Sequence, residues 1–192
     1  MTRFIDQGAV AAAGVGIGMA LVTAVSFLLV IPIEPIYWVL APLAGILIGY
    51  YANQRSGRGR GSWRRIVANA VFAGLATGLA MAILLVGVKA LFFTADNGFR
   101  DLSQGGQLSC TPGADCVYAR YLAQEGGRAR LEAAGVTDAA SFAAFYWNQQ
   151  LGTAGRLLLV TIAGSLVGGV LYGVAGPKPT PGPKSELATG RT

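Results

Sequence analysis

The chain reads as an all-α membrane protein, a four-helix transmembrane bundle with a structured extracytoplasmic loop between its third and fourth helices. Three observations carry this. Of 192 residues, 53% are hydrophobic and 12% charged, about half the charge of an ordinary soluble domain. The mean hydropathy is +0.52. The charges are gathered between four long runs that carry almost none.

Those runs predict spans at about residues 8–33, 36–52, 66–93 and 156–175, all within one domain over 1–175. Gly8 to Ile33, Ile36 to Ala52 and Leu157 to Ala175 contain no charged residue, and Ile66 to Phe93 contains only Lys89. Crossing a hydrocarbon core takes about 20 apolar residues, with ~17 as the lower limit. The second run is at that limit, and Tyr37-Trp38 and Tyr50-Tyr51 place interfacial rings at its two ends. The first run is far longer than the ~7–15 residues of a signal-peptide core and no A-x-A site follows, so an uncleaved anchor is expected.

Basic residues set the expected orientation. The connection from Asn53 to Arg65 carries Arg55, Arg58, Arg60, Arg64 and Arg65 without an acid, whereas Pro32-Ile33-Glu34-Pro35 carries only Glu34. The positive-inside rule then puts both termini and the arginine loop in the cytoplasm of a cell membrane, and the segment 94–155 outside. The loop alternates arginine with glycine around Trp63. Beside a membrane helix such charges favour anionic lipid headgroups, and no nucleic-acid fold is encoded. The tail 176–192, with Pro177, Pro179, Pro181 and Pro183, is expected to be a disordered cytoplasmic segment.

Every span carries glycines four apart, on one helical face: Gly14/Gly18, Gly45/Gly49, Gly74/Gly78, Gly164/Gly168 and Gly169/Gly173. In the third span the stripe extends from Ala70 to Ala82. Small-residue faces let backbones approach closely, which is how helices associate in lipid. Thr23, Ser26, Asn69, Thr77, Thr161 and Ser165 are available for hydrogen bonds between helices. No Asp or Glu falls inside a span, which argues against ion-coupled carriers. Lys89 lies within a turn of Phe92 and Phe93, where its stem can snorkel.

The outer loop is too long to be structureless. Cys110 and Cys116 enclose Thr-Pro-Gly-Ala-Asp, and Pro112-Gly113 suits a type II turn. A structural disulfide is expected there, since redox pairs favour C-x-x-C spacing. The stretch 117–134 predicts a helix interrupted at Gly126-Gly127. Val136-Thr137-Asp138 offers a cap for another helix through Gln150. Phe142, Phe145, Tyr146 and Trp147 crowd that helix, as a membrane-interface cover or a partner face.

The layout is similar to that of tetraspanins, with a short first outer loop and a long second one bearing a disulfide. The likeness is architectural: the large loop has no Cys-Cys-Gly, Cys110 and Cys116 do not match that motif, and no family is assigned. Twelve arginines against three lysines suggest a GC-rich bacterial genome. With no histidine and two cysteines, His-based catalysis and Cys₄ metal sites are excluded, and neither cofactor nor enzymatic activity is expected. The reading is a non-catalytic accessory subunit, with membrane lipids and other membrane subunits or further copies of itself as partners. The alternative is a small oligomeric channel or solute facilitator.

Overall fold

The computed structural model describes residues 5–29, 34–57, 59–95 and 110–177. Among these, the chain is all-helical, with six helices and no strand: α1 Gln7–Leu29, α2 Glu34–Arg55, α3 Trp63–Ala95, α4 Ala114–Ala123, α5 Gly127–Ala133 and α6 Ala139–Ala175. Among the described residues, three segments are long and apolar enough to cross a membrane: Gln7–Val25, Trp63–Ala95 and Ala139–Ala175. The second span expected from the sequence, now α2, is not among them. Its apolar stretch closes on Asn53-Gln54-Arg55, and Glu34 stands at its start. Arg58, the loop 96–109 and the tail from 178 onward lie outside the described residues.

The chain contacts divide into two units. The first comprises Met1–Gly18, Val39–Thr77 and Val160–Thr192, and the second Met19–Trp38 and Gly78–Leu159. The core of the first unit is built from small residues. Ala9, Ala12, Ala41, Ala52, Ala70 and Ala73 are buried, beside the larger Ile66 and Tyr172. Without bulky side chains between them, the helices meet backbone to backbone, as lipid-embedded helices must when no hydrophobic drive separates protein from solvent.

The second unit has a larger-residue core, in which Phe93, Val117, Leu131, Val136, Phe142 and Tyr146 are buried together. Short helices are brought to it by local turn chemistry. The expected break falls between α4 and α5, where Gly126 takes a left-handed conformation (φ 66°) that a side chain disfavours. α5 ends in a Schellman motif: Gly135 N–H donates to Glu132 O at 3.0 Å and Val136 N–H to Leu131 O at 2.9 Å. The accompanying hydrophobic contact is the Val136–Leu131 pair, both members of the core. Asp138 caps α6 as expected. Ser141 N–H donates to Asp138 Oδ1 at 2.7 Å, and Asp138 N–H donates back to Ser141 Oγ at 3.1 Å.

α6 corrects one expectation. A helix ending at Gln150 and a separate span from 156 are one continuous helix, Ala139–Ala175. Gly152 and Gly155 weaken a helix without ending it, and no proline intervenes. The inward positions Phe142, Tyr146, Gln150, Ala154, Leu157, Thr161 and Ser165 are all buried. They recur every three or four residues and keep a single face across the polar Asn148-Gln149-Gln150 stretch.

Candidate functional site

Glycine positions decide which helix faces are already used. In the first unit, α2 and α6 interlock. A Cβ added at Gly45, Gly49, Gly164 or Gly168 would fall under 3.0 Å from backbone of the facing helix: Thr161 and Ser165 for the first two, Pro42 and Ile46 for the others. α3 meets the same helix through Gly74, whose Cβ would stand 2.6 Å from Ser165 Cβ. Ser165 Oγ donates to Ala70 O at 2.7 Å across that contact. At the loop end, Gly173 leaves room for the Trp63 ring, 2.5 Å from where a Cβ would be. In the second unit Gly78 accommodates Leu158 in the same way, at 2.8 Å.

Gly14 and Gly18 behave differently. Among the described residues, a Cβ at either meets nothing within 4 Å, so the face that the sequence left open to either an internal or an external helix is not used by a described helix of the chain. The glycines of α1 that do allow close approach are Gly8, against Arg55 and Ser56, and Gly16, against Thr77. Positions 14 and 18 lie on the opposite side of the helix from 16, since each residue turns about 100°. Val10, Val15 and Ile17 are exposed beside them.

A polar clasp that the sequence reading passed over fixes the start of α1. Asp6 N–H donates to Asn69 Oδ1 at 3.1 Å, and Asn69 Nδ2 donates to Asp6 Oδ2 at 3.0 Å. Asn69 Nδ2 also reaches Asn53 Oδ1 at 3.4 Å and Ser56 Oγ at 3.3 Å. Asn53 Nδ2 donates to Gly49 O at 3.0 Å and Ile66 O at 3.2 Å. Both asparagines are fully buried, and every such amide must be satisfied to avoid a desolvation cost. The signal that could have found the clasp is an acid one residue ahead of α1 paired with an asparagine inside an apolar run. Asn69 was singled out for hydrogen bonding; Asp6, Asn53 and Ser56 were not.

The arginine loop is partly used internally. Arg65 pairs with Asp6 at 3.4 Å, and Arg60 Nε donates to Gly176 O at the C-terminal end of α6, where a cation is favoured by the helix dipole. Arg55, Arg64 and Trp63 are exposed.

The aromatic set is corrected as well. Phe142 and Tyr146 are not a partner face: they are buried at 0% and 5% exposure, with Phe145 and Trp147 packed against the same core. The spacing of four between 142 and 146 puts both on the inward side of α6. Tyr146 stacks on Phe93 with ring centroids 4.9 Å apart, and its hydroxyl donates to Lys89 O at 3.4 Å.

Cys110 and Cys116 stand at disulfide-bonding distance, Cα–Cα 5.5 Å. The turn between them is not type II. Gly113 has φ 138° and ψ −174°, extended backbone at positive φ that glycine alone adopts readily. An open cavity of about 280 Å³ beside the cysteines is lined by Thr111, Pro112, Asp115 and Ala119, with Asp115 the one ionisable side chain among them. Among the described residues, no group of His, Cys, Asp or Glu could hold a metal ion. Comparison with protein-family models, curated proteins and solved structures finds no match to this chain.

Proposed function

We propose that this is a non-catalytic, multi-pass protein of the cell membrane whose function is assembly: it packs against other membrane helices as an accessory subunit. In this reading α2 joins α1, α3 and α6 as a fourth span. The observation that carries it is the open Gly14/Gly18 face of α1. The other glycine pairs meet a helix of the chain, and this one, bordered by exposed Val10, Val15 and Ile17, offers the same kind of close approach to a helix from elsewhere. The channel alternative draws less support, because the buried Asn53, Asn69, Thr77 and Ser165 spend their hydrogen bonds on the fold rather than on a path.

Both termini and the arginine loop are assigned to the cytoplasm, with Arg55 and Arg64 toward anionic headgroups. The test is purification in mild detergent. A stable stoichiometric membrane partner, or a defined oligomer, is expected. A monomer that instead conducts solutes in liposomes would replace the reading with the facilitator.

A further inference from the structure

Arg156 is a charge in an unusual place. It is exposed on α6, and below it the outward face of that helix is purely apolar: Leu159, Val167, Val170, Leu171 and Val174 are exposed. Above it the outward face gains amides, with Gln149 and Asn148 exposed beside Gly155, Gly152 and Leu151. Within the second unit, α6 touches α3 at two heights, Leu158 with Gly78 and Tyr146 with Phe93. Arg156 lies between them. Over that stretch α3 still exposes Leu79, Ile83 and Leu91, so the guanidinium starts at a depth where the neighbouring helix is suited to hydrocarbon. An ionisable residue at such depth calls for a counter-charge, and no described residue pairs with this one.

The surroundings indicate what the counter-charge is. Helical side chains lean toward the N-terminus of their helix, which here is toward Gly152, Gln149 and the polar end. A Cβ at Gly152 or Gly155 would meet nothing within 4 Å, so the surface beside the arginine is uncovered by the described residues. Gln149 and Asn148 add amide donors along the same exposed face. A guanidinium and amide donors sharing one exposed, uncovered helix face suit a tetrahedral anion at the membrane surface.

We propose that Arg156, with Gln149 and Asn148, forms a phosphate site that takes a phospholipid headgroup from the leaflet beside α4 and α5. The site rests on the membrane reading above and adds a ligand to it. The test is reconstitution into vesicles of phosphatidylglycerol and phosphatidylcholine, followed by native mass spectrometry of the lipid retained in mild detergent. Arg55→Gln and Arg64→Gln are made first, to silence the basic loop.

In that background Arg156→Gln should lower retained phosphatidylglycerol roughly tenfold, the scale of one charge-assisted contact. Arg156→Lys should keep most of it. Arg156 is exposed, so helicity and monodispersity should be unchanged. Equal retention in Arg156→Gln would overturn the proposal. So would an Arg156-dependent thermal shift of the delipidated protein with inorganic phosphate equal to that with lipid, which would make it a free-anion site. A co-purifying membrane polypeptide lost on Arg156→Gln in place of lipid would likewise overturn it. Wild-type protein that washes off the vesicles in alkaline carbonate would instead refute the membrane reading.

Discussion

Replacing Gly49 by alanine places one methyl group where there is no room for it. The new Cβ would fall under 3.0 Å from Ser165 O and from Ser165 C, both backbone atoms that no rotamer change can move. Ordinary contact begins at 3.4 Å, so α2 and α6 must shift apart. The separation loosens the facing approaches at Gly45, Gly164 and Gly168 and strains the Ser165 hydroxyl bond to Ala70 O. Overpacking of this kind costs ~1–3 kcal/mol. Alanine also gains about 0.5–1 kcal/mol over glycine within a helix, which would mask part of the loss.

Gly14→Ala is the control, since its methyl enters open space and carries only the propensity gain. The difference between the two variants therefore isolates the overpacking term, expected at about 1–3 kcal/mol. Reversible unfolding by sodium dodecyl sulfate in mixed micelles, followed by helicity, measures it. Equal stabilities for Gly49→Ala and Gly14→Ala would refute the close approach of α2 and α6.

Four further outcomes are expected. Gly78→Leu should destabilise by ~1–3 kcal/mol through collision with Leu158, while Leu84→Ala, on a different face, does less; the same detergent titration compares them. Asn69→Leu should lower stability by about 1–3 kcal/mol by removing the amide that bonds both Asp6 and the buried Asn53 Oδ1, and an unchanged unfolding curve would show the clasp to be dispensable. Asp138 is held below its ordinary carboxylate value first by the Ser141 backbone N–H and then by the Ser141 hydroxyl. Its contribution is therefore present above the unfolded value, 3.8, and lost as pH falls through the lower folded one; Asp138→Asn, which keeps the cap acceptor, should flatten that acid limb of the thermal-stability profile. Ser62→Cys should resist impermeant thiol reagents added outside intact cells, and efficient labelling would reverse the assigned orientation.

The sequence carried the features that depend on local chemistry. Long runs with no charge, or in α3 only Lys89, marked α1, α3 and the apolar half of α6. Gly126 announced the break between α4 and α5, and Asp138 the start of α6. The rotation of α1 was not legible, because Ala9, Ala12 and Ala13 inside and Ala11, Gly14 and Gly18 outside are equally small and apolar. Its rotation accompanies contacts far apart in the chain, Asp6 with Asn69 and Gly16 with Thr77. The continuity of α6 was hidden for a related reason. Gly152 and Gly155 between Gln150 and Leu157 look like a break in composition, yet Gln150, Ala154 and Leu157 continue one buried stripe. The same uniformity concealed the aromatic core, since Phe142 and Tyr146 could equally have lined an interface.

The central claim is that the chain works by offering the Gly14/Gly18 face of α1 to another helix. Gly14→Leu and Gly18→Leu together test it most directly, because among the described residues neither leucine meets an atom within 4 Å of its Cβ. The variant and the wild type are compared by chemical cross-linking in membranes and by size in mild detergent. The account predicts an unaltered detergent-unfolding midpoint with loss of the partner or oligomer. Unfolding and association both identical to wild type would contradict it.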